Sequence, residues 1–265
     1  MRLQRSRSRC RWCSGVRETP ADWDAQWRDE PLDLDAPTHE AQTLRWRAQE
    51  RLVRERFGSF DGLRAIELGA GRGLNALLFA QRGARVTLLD NVPLALEQAQ
   101  VLFSAHGVDF DGVEADLFDL PAELRGAFDV SMSYGLCEHF LGERRLAVVA
   151  AHLEALRPGG LALLGVPNRY GVVYRLWKGA LTRTGSWPLG TEEPFSAAEL
   201  AALAARAGGR PLEPVFGSFA ASVVNHGVNQ ALFKLGRRGL PLPELRLPVL
   251  DRFAYELLLP VVKPE

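Results

Sequence analysis

Leu63-Arg64-Ala65-Ile66-Glu67-Leu68-Gly69-Ala70-Gly71-Arg72-Gly73 is the stretch that decides the fold. An apolar run of strand length ends in an acid and opens onto three glycines at alternate positions. That combination lets the backbone leave a buried strand, turn sharply and enter a helix with its amides bared. A helix is predicted at once, over residues 75–82, stopped by Gly83. Residues 85–89 then read as a second strand, ending in Asp90. Strand, glycine turn, helix, strand and acid make one βαβ unit.

A dinucleotide fingerprint, G-x-G-x-x-G, needs its third glycine at position 74, where this chain has Leu74, and that argues against a dinucleotide. Asp90 lies close to the spacing, about 20 residues, at which nucleotide-type folds place a carboxylate on ribose hydroxyls. Acid-x-G-x-G-x-G followed by Asp90, with Asp116 after a third strand, resembles the class I S-adenosylmethionine-dependent methyltransferases. The likeness is greatest to small-molecule enzymes of the ubiquinone-biosynthesis type. It is strong over residues 63–167 and weak on the flanks. It implies an α/β fold, a Rossmann-like, seven-strand, mostly parallel sheet flanked by helices, with an N-terminal helical cap. By the same resemblance S-adenosyl-L-methionine is the cofactor. Glu67, Gly69, Ala70, Gly71 and Gly73 would lie against its methionine portion, Asp90 and Asn91 at the ribose, and Asp116 and Leu117 near the adenine, with Tyr134 a further contact.

Composition narrows the field. At 265 residues the chain has room for one α/β domain with additions. Lys plus Arg is 32 and Asp plus Glu is 32, so no global field draws a polyanion, which argues against nucleic acid as partner. No apolar stretch reaches the roughly 18 residues of a membrane span, and no secretory core opens the chain, so a cytoplasmic protein without a transmembrane segment is expected. Three cysteines do not make a disulfide framework. Cys10-Arg11-Trp12-Cys13 has the spacing of half a zinc site but lacks the other half, so no metal is expected. Residues 1–17 hold six arginines and no acid. Residues 1–20 therefore read as a disordered basic tail, with a nucleic-acid-binding arm as the alternative.

Residues 21–62 read as the helical cap. Trp23 and Trp27 resemble the aromatic pair ahead of the glycine turn in small-molecule methyltransferases. Asp35-Ala36-Pro37 suits a helix start, and Leu44, Ala48 and Leu52 recur at helical spacing among arginines expected to face solvent. His39 reads as structural, or as looking into the site. Residues 63–265 form the expected methyltransferase domain, with insertions near 168–192 and 218–250. Its further strands are predicted at 112–115, 128–133, 161–166, near 212–216 and near 254–262. Its further helices are predicted at 94–103, before Arg157-Pro158-Gly159-Gly160, and at 200–206 after the capping box Ser196-Ala197-Ala198-Glu199.

Ligands of open α/β sheets lie beyond the carboxyl ends of the strands, so acceptor chemistry is expected after strands four and five. The first such segment holds Glu138-His139, similar to the Glu-His of the ubiquinone-biosynthesis-type enzymes. A sulfonium methyl is already activated, so the protein must mainly align a nucleophile and take its proton, which suits His139. The other reading of His139 is a structural histidine. The second segment runs from Pro167-Asn168-Arg169-Tyr170 to Gly190, where Val173, Leu176, Trp177, Ala180 and Leu181 form an apolar stripe beside Arg175, Lys178 and Arg183. It reads as a lid in which Tyr170 and Trp177 cover the acceptor, as a core helix, or as a basic amphipathic surface in peripheral contact with membrane. Within 218–250, residues 225–230 either place polar groups in the pocket or start a surface helix, and no chemistry is assigned. The expected function is methyl transfer to a small organic molecule, at oxygen. The rivals are a nucleic-acid methyltransferase, disfavoured because Ser131-Met132-Ser133-Tyr134 lacks an Asn/Asp-Pro-Pro-aromatic run, and a non-catalytic cofactor-binding regulator or scaffold. Nothing in the sequence fixes an oligomeric state.

Overall fold

Five strands pair in parallel at the centre of the computed structural model, which describes residues 23–265. The basic tail, Cys10 and Cys13 and the first two residues of the expected cap lie outside the described residues. The strands are β1 (Arg64–Leu68), β2 (Arg85–Asp90), β3 (Asp111–Glu114), β4 (Phe128–Tyr134), β5 (Leu156–Pro167), β6 (Arg210–Pro211), β7 (Val215–Phe216) and β8 (Glu256–Val262). Their order is β3-β2-β1-β4-β5-β8-β6, with β7 pairing β8 off that path. β8 runs antiparallel to β5, β6 and β7, and the rest are parallel.

The expected seven-strand, mostly parallel sheet is therefore present, with two differences. The strand read at 212–216 is split into β6 and β7, with Pro211 and Pro214 unable to donate to the ladder on β8. The strand read at 161–166 begins at Leu156, because Pro158-Gly159-Gly160 is a kink within it rather than a free turn. Gly159 takes φ 74, and the pairing with β4 shifts register between Phe128 and Val130.

Helices cover both faces, as a parallel sheet requires. The cap supplies α1 (Trp23–Asp29), α2 (Ala36–Glu40) and α3 (Leu44–Phe57). The domain adds α4 (Leu74–Ala80), α5 (Pro93–Ala105), α6 (Glu143–Ala155), α7 (Val172–Arg183) and α8 (Ala197–Arg206). α9 (Phe219–Val223) and α10 (Gln230–Lys234) are joined through a π-helical turn, Val224–Asn229. Alternate strand residues feed two cores: Ile66, Leu68 and Leu89 meet α6 and α8, while Ala65, Val86 and Leu88 meet α3, α4 and α5. Ser196 caps α8 as the sequence predicts, its hydroxyl accepting from the Glu199 amide. One arginine departs from the expected solvated face of the cap. Arg45 is buried, its guanidinium 2.7 Å from Glu40 and 3.4 Å from Glu256, because a nearby acid and one far along the chain converge on it.

Gly73 closes the glycine turn at φ 66, and a Cβ there would stand 2.6 and 2.9 Å from the Leu88 methyls and 3.1 Å from the Phe103 ring. Gly73→Ala therefore adds overpacking to backbone strain, an expected loss of roughly 3 kcal/mol in urea denaturation. Gly126 has φ 63 with open space around its Cβ position. Gly126→Ala should cost only the conformational part, about 1–2 kcal/mol, and equal losses at the two sites would show that the crowding is not real.

Candidate functional site

A cavity of about 440 Å³ opens beyond the carboxyl ends of β1, β2 and β4. Its wall comprises Gly69, Ala70 and Gly71 of the glycine turn, Asp90, Asn91 and Val92 after β2, and Tyr134, Gly135 and Leu136 after β4. His139, Phe140, Arg144 and Thr191 complete it, with Trp23 and Trp27 from α1. Gly71 must lack a side chain, since a Cβ would stand 2.7 Å from the Trp27 ring. α1 is held over the turn by Gln98 donating to the Trp27 carbonyl, and by Arg72, which bonds Gln98 and stacks on Trp27.

Asp90 is the anchor of this wall. Its Oδ2 accepts the Gly71 amide at 2.8 Å and its Oδ1 the Val92 amide at 2.9 Å. Burial pushes its carboxyl above the ordinary range, while the amides of Gly71, Val92 and Asn91 pull it back. Each oxygen keeps lone-pair capacity for a further donor from the cavity.

Four residues read as cofactor contacts lie elsewhere. Glu67 is buried behind the turn, where its Oε2 accepts the Ala76 amide at 2.9 Å. α4 begins at a glycine with no side chain to cap it, and Glu67 supplies the missing acceptor. Burial pushes this carboxyl up to about 8. Gly73 shapes the turn from inside, against Leu88. Asp116 is exposed and accepts the Phe118 amide, and Leu117 belongs to the core. None of these four lines the cavity.

Tyr134 does line it, and its ring is fixed from behind. The Arg45 guanidinium lies 4.5 Å over the ring, and the hydroxyl donates to Gln49, which in turn donates to Asn75. Neither Arg45 nor Gln49 is distinguishable in sequence from its helical neighbours. Leu136, Arg144 and Thr191 were also not foreseen, and only the neighbourhood of Glu138-His139 could have suggested the first two.

His139 holds its Nδ1 3.0 Å from the Thr191 carbonyl. A carbonyl only accepts, so Nδ1 carries the proton of the neutral ring and Nε2 is its basic nitrogen. Trp23 packs edge-on against it at 4.8 Å. Burial lowers its pKa below the ordinary 6.5, against the upward pull of the Thr191 carbonyl and Glu192. Its neighbour Glu138 is 2% exposed, and its Oε2 has no hydrogen-bond partner among the described residues. Burial, reinforced by Glu192, pushes that carboxyl up to about 8 against Lys178 and Arg145.

The insertion after β5 forms the predicted helix, α7, but neither Tyr170 nor Trp177 lines the cavity. Tyr170 is 55% exposed. Trp177 packs against Tyr174, Trp187 and His226, with ring centroids 5.9, 5.6 and 5.4 Å away, so it is drawn into an aromatic cluster beside the site. Only Tyr174 of α7 is buried, which excludes a core helix. Residues 225–230 do not line the cavity: 225–229 fall within the π turn, with His226 buried against Tyr174 and Tyr255, and Gln230 starts α10, a helix without buried residues. His39 is exposed and outside the cavity wall. No cluster of three or more metal-ligating side chains occurs among the described residues, and no helix of theirs is long and apolar enough to cross a membrane.

Residues 65–160 match a family model described as a methyltransferase domain. With this fold and cavity, the segment is similar to class I, S-adenosylmethionine-dependent methyltransferase domains. Among curated proteins the chain is similar to a ubiquinone biosynthesis O-methyltransferase of Chromobacterium violaceum, 31% identical over 57% of this chain and 62% of that protein. The chain thus spans about three fifths of that relative's length. Among solved structures it is similar to a protein of echinomycin biosynthesis described as converting a disulfide bond into a thioacetal, with TM-score 0.60 and 22% identity over 91% of both chains. It is also similar to magnesium protoporphyrin IX methyltransferase from Synechocystis with bound S-adenosylhomocysteine, with TM-score 0.59 and 16% identity over 91% of this chain and 92% of that one.

The buried acids set a pH dependence. Glu138 titrates near 8 when folded, against an ordinary 4.5 when unfolded, so between those values only the folded chain keeps the proton. The stability this confers is full below the unfolded value and is lost as pH rises through about 8, and Glu67 acts in the same direction. The melting temperature should fall as pH rises from about 4.5 to about 8, and Glu138→Gln should flatten that fall. An unchanged slope in the variant would show that Glu138 titrates normally.

Proposed function

We propose that the chain transfers a methyl group from S-adenosylmethionine to an oxygen of a small organic molecule, with His139 taking the acceptor's proton. The carrying observation is that the Asp90-anchored glycine turn and His139 line one cavity, in a segment that matches a methyltransferase domain. The wall suits the cofactor. Asp90 and exposed Asn91 would hold ribose hydroxyls, and Gly69, Ala70 and Gly71 leave room for the methionine portion. Tyr134 forms a rigid side of the same space. When bound, the cofactor supplies a methyl group already activated on sulfur. The chain's own task is alignment and proton removal. His139, kept neutral at pH 7 by burial and oriented by Thr191, offers Nε2 for that proton. The named O-methyltransferase relative supports oxygen as the acceptor atom. In this reading residues 63–265 are the catalytic domain and residues 21–62 its cap.

Asp90→Asn keeps the amide contacts' shape but halves the accepting capacity. Calorimetry should show S-adenosylhomocysteine bound at least tenfold more weakly, about 1.4 kcal/mol, with no binding of NAD by the unaltered chain. Unchanged affinity would remove Asp90 from the site.

His139→Ala should lower turnover by about 100-fold while sparing cofactor affinity. In the unaltered enzyme, turnover should be lost as pH falls through a value below 6.5, where the base becomes protonated. The assay is labelled S-adenosylmethionine incubated with a metabolite extract, followed by mass detection of O-methylated product. Affinity collapsing along with turnover would make His139 structural, and an absence of turnover with any extract would favour a non-catalytic binder.

A further inference from the structure

Glu192 is an acid buried on an irregular stretch of chain. Its side chain is 3% exposed, and residues 184–194 around it belong to no helix or strand. Taking a carboxylate out of water is costly unless donors meet it. Two do, and both come from α7. The Tyr174 hydroxyl donates to its Oε1, and Lys178 Nζ lies 3.1 Å from the same oxygen while also donating to the Glu192 backbone carbonyl. Tyr174 is buried and packs at 4.5 Å against Tyr255, the residue before β8, so the grip is anchored outside the insertion. Both neighbours of Glu192 meet the Glu138-His139 pair. Thr191 presents its carbonyl to His139 Nδ1 at 3.0 Å, and the Glu193 amide donates to the Glu138 carbonyl at 2.8 Å. Arg145 of α6 holds Glu193 as well, 3.4 Å from its carboxylate and 3.3 Å from its carbonyl. Glu192 is therefore the point through which α7 holds the stretch that orients the ring.

A neutral imidazole keeps one tautomer only while one of its nitrogens is engaged, and a carbonyl on irregular chain aims only as well as that chain is held. We propose, resting on His139 as the base of methyl transfer, that Glu192 is a positioning residue: its carboxylate, gripped by Tyr174 and Lys178, fixes the Thr191 carbonyl and with it the tautomer of His139 and the aim of Nε2. The insertion after β5 then serves the chemistry by orienting the base, which accords with Tyr170 and Trp177 standing off the cavity wall. The charges around His139 allow aim and electrostatics to be told apart. Burial lowers its pKa most, while Glu192 raises it and Lys178 lowers it. Glu138 keeps its proton until about 8 and so adds no charge at the lower pH where His139 titrates. Arg145 is paired with Glu193 and Glu199. Asp90 and Arg144 line the same cavity and are common to all the proteins compared.

The test uses three variants of the full chain. Glu192→Gln removes the negative charge, Lys178→Met removes the positive one, and Tyr174→Phe removes one tether while keeping the ring and the charges. Nitrogen NMR of the histidine rings, with S-adenosylhomocysteine present, reads the tautomer and pKa of His139 without any turnover, its signal among the five histidines being assigned by its loss in His139→Ala. The His139 pKa should fall in Glu192→Gln and rise in Lys178→Met, and in all three variants the single Nδ1-protonated tautomer should give way to a mixture. Turnover at saturating cofactor should fall at least about tenfold in all three, with S-adenosylhomocysteine affinity unchanged. Combined with His139→Ala, none of them should cost anything further. Opposite pKa shifts with tautomer and turnover kept would mean that the pair supplies charge alone, and would overturn the proposal. So would a lowered melting temperature with the tautomer unchanged in Tyr174→Phe, or losses that add to that of His139→Ala. Should the tautomer respond as expected while His139→Ala retains turnover, Glu192 still orients the ring and it is the assignment of the base that fails.

Discussion

The carboxylate of Asp90 accepting the Gly71 amide is the contact on which the site depends. It ties the end of β2 to the middle of the glycine turn after β1, and so sets the distance across the switch between neighbouring strands where α/β sheets bind ligands. The turn's three glycines have no side chains with which to hold it. It leans instead on Asp90 from the front and on Trp27 from above, while Glu67 caps the helix behind it. One acid therefore both positions the wall and remains available to the ligand, which is why a buried carboxylate is tolerated at that point.

A second constraint runs through the cap. Arg45 sits between Glu40, Glu256 and the Tyr134 ring, so α2, α3 and β8 all fix one cavity-lining side chain. Burying a guanidinium is tolerable only because both acids reach it, and removing either one would leave charge without compensation. The helical cap is in this sense part of the sheet's rim rather than an addition to it. Its other end, α1, contributes Trp23 and Trp27 to the opposite side of the same cavity.

The parts legible in the sequence are those whose signal is local. The glycine turn, Asp90, the Ser196 capping box and the apolar strand runs each declare themselves within a few residues, and each is where it was expected. Glu67 was legible as a special acid but not as a cap, because its partner, the Ala76 amide, becomes visible only once Gly73 is seen to start a helix without a side chain. Arg45 was hidden among solvated arginines, since Glu256 lies more than two hundred residues away. The split of β6 from β7 was written in Pro211 and Pro214, and the apolar residues around them, Leu212, Val215 and Phe216, outweighed that sign. Trp177 failed for a different reason: an apolar stripe gives the face of a helix but not the partner that face meets, and here the partners are Trp187 and His226.

His139 is where these separate supports converge. β4 delivers it to the cavity, Thr191 at the end of the first insertion orients its ring, and Trp23 of the cap packs against its edge. Neither Thr191 nor Trp23 belongs to the sheet core. The cofactor wall and the proposed base thus rest on different parts of the molecule. In the proposed reading, affinity for the cofactor would follow from the strand ends and the glycine turn under Trp27, whereas the aim of Nε2 would follow from two peripheral segments meeting over it. A movement of α7 and the following residues, carried to Thr191, would change the orientation of His139 without touching Asp90. In that reading chemistry and cofactor binding would be separable, because different elements hold them.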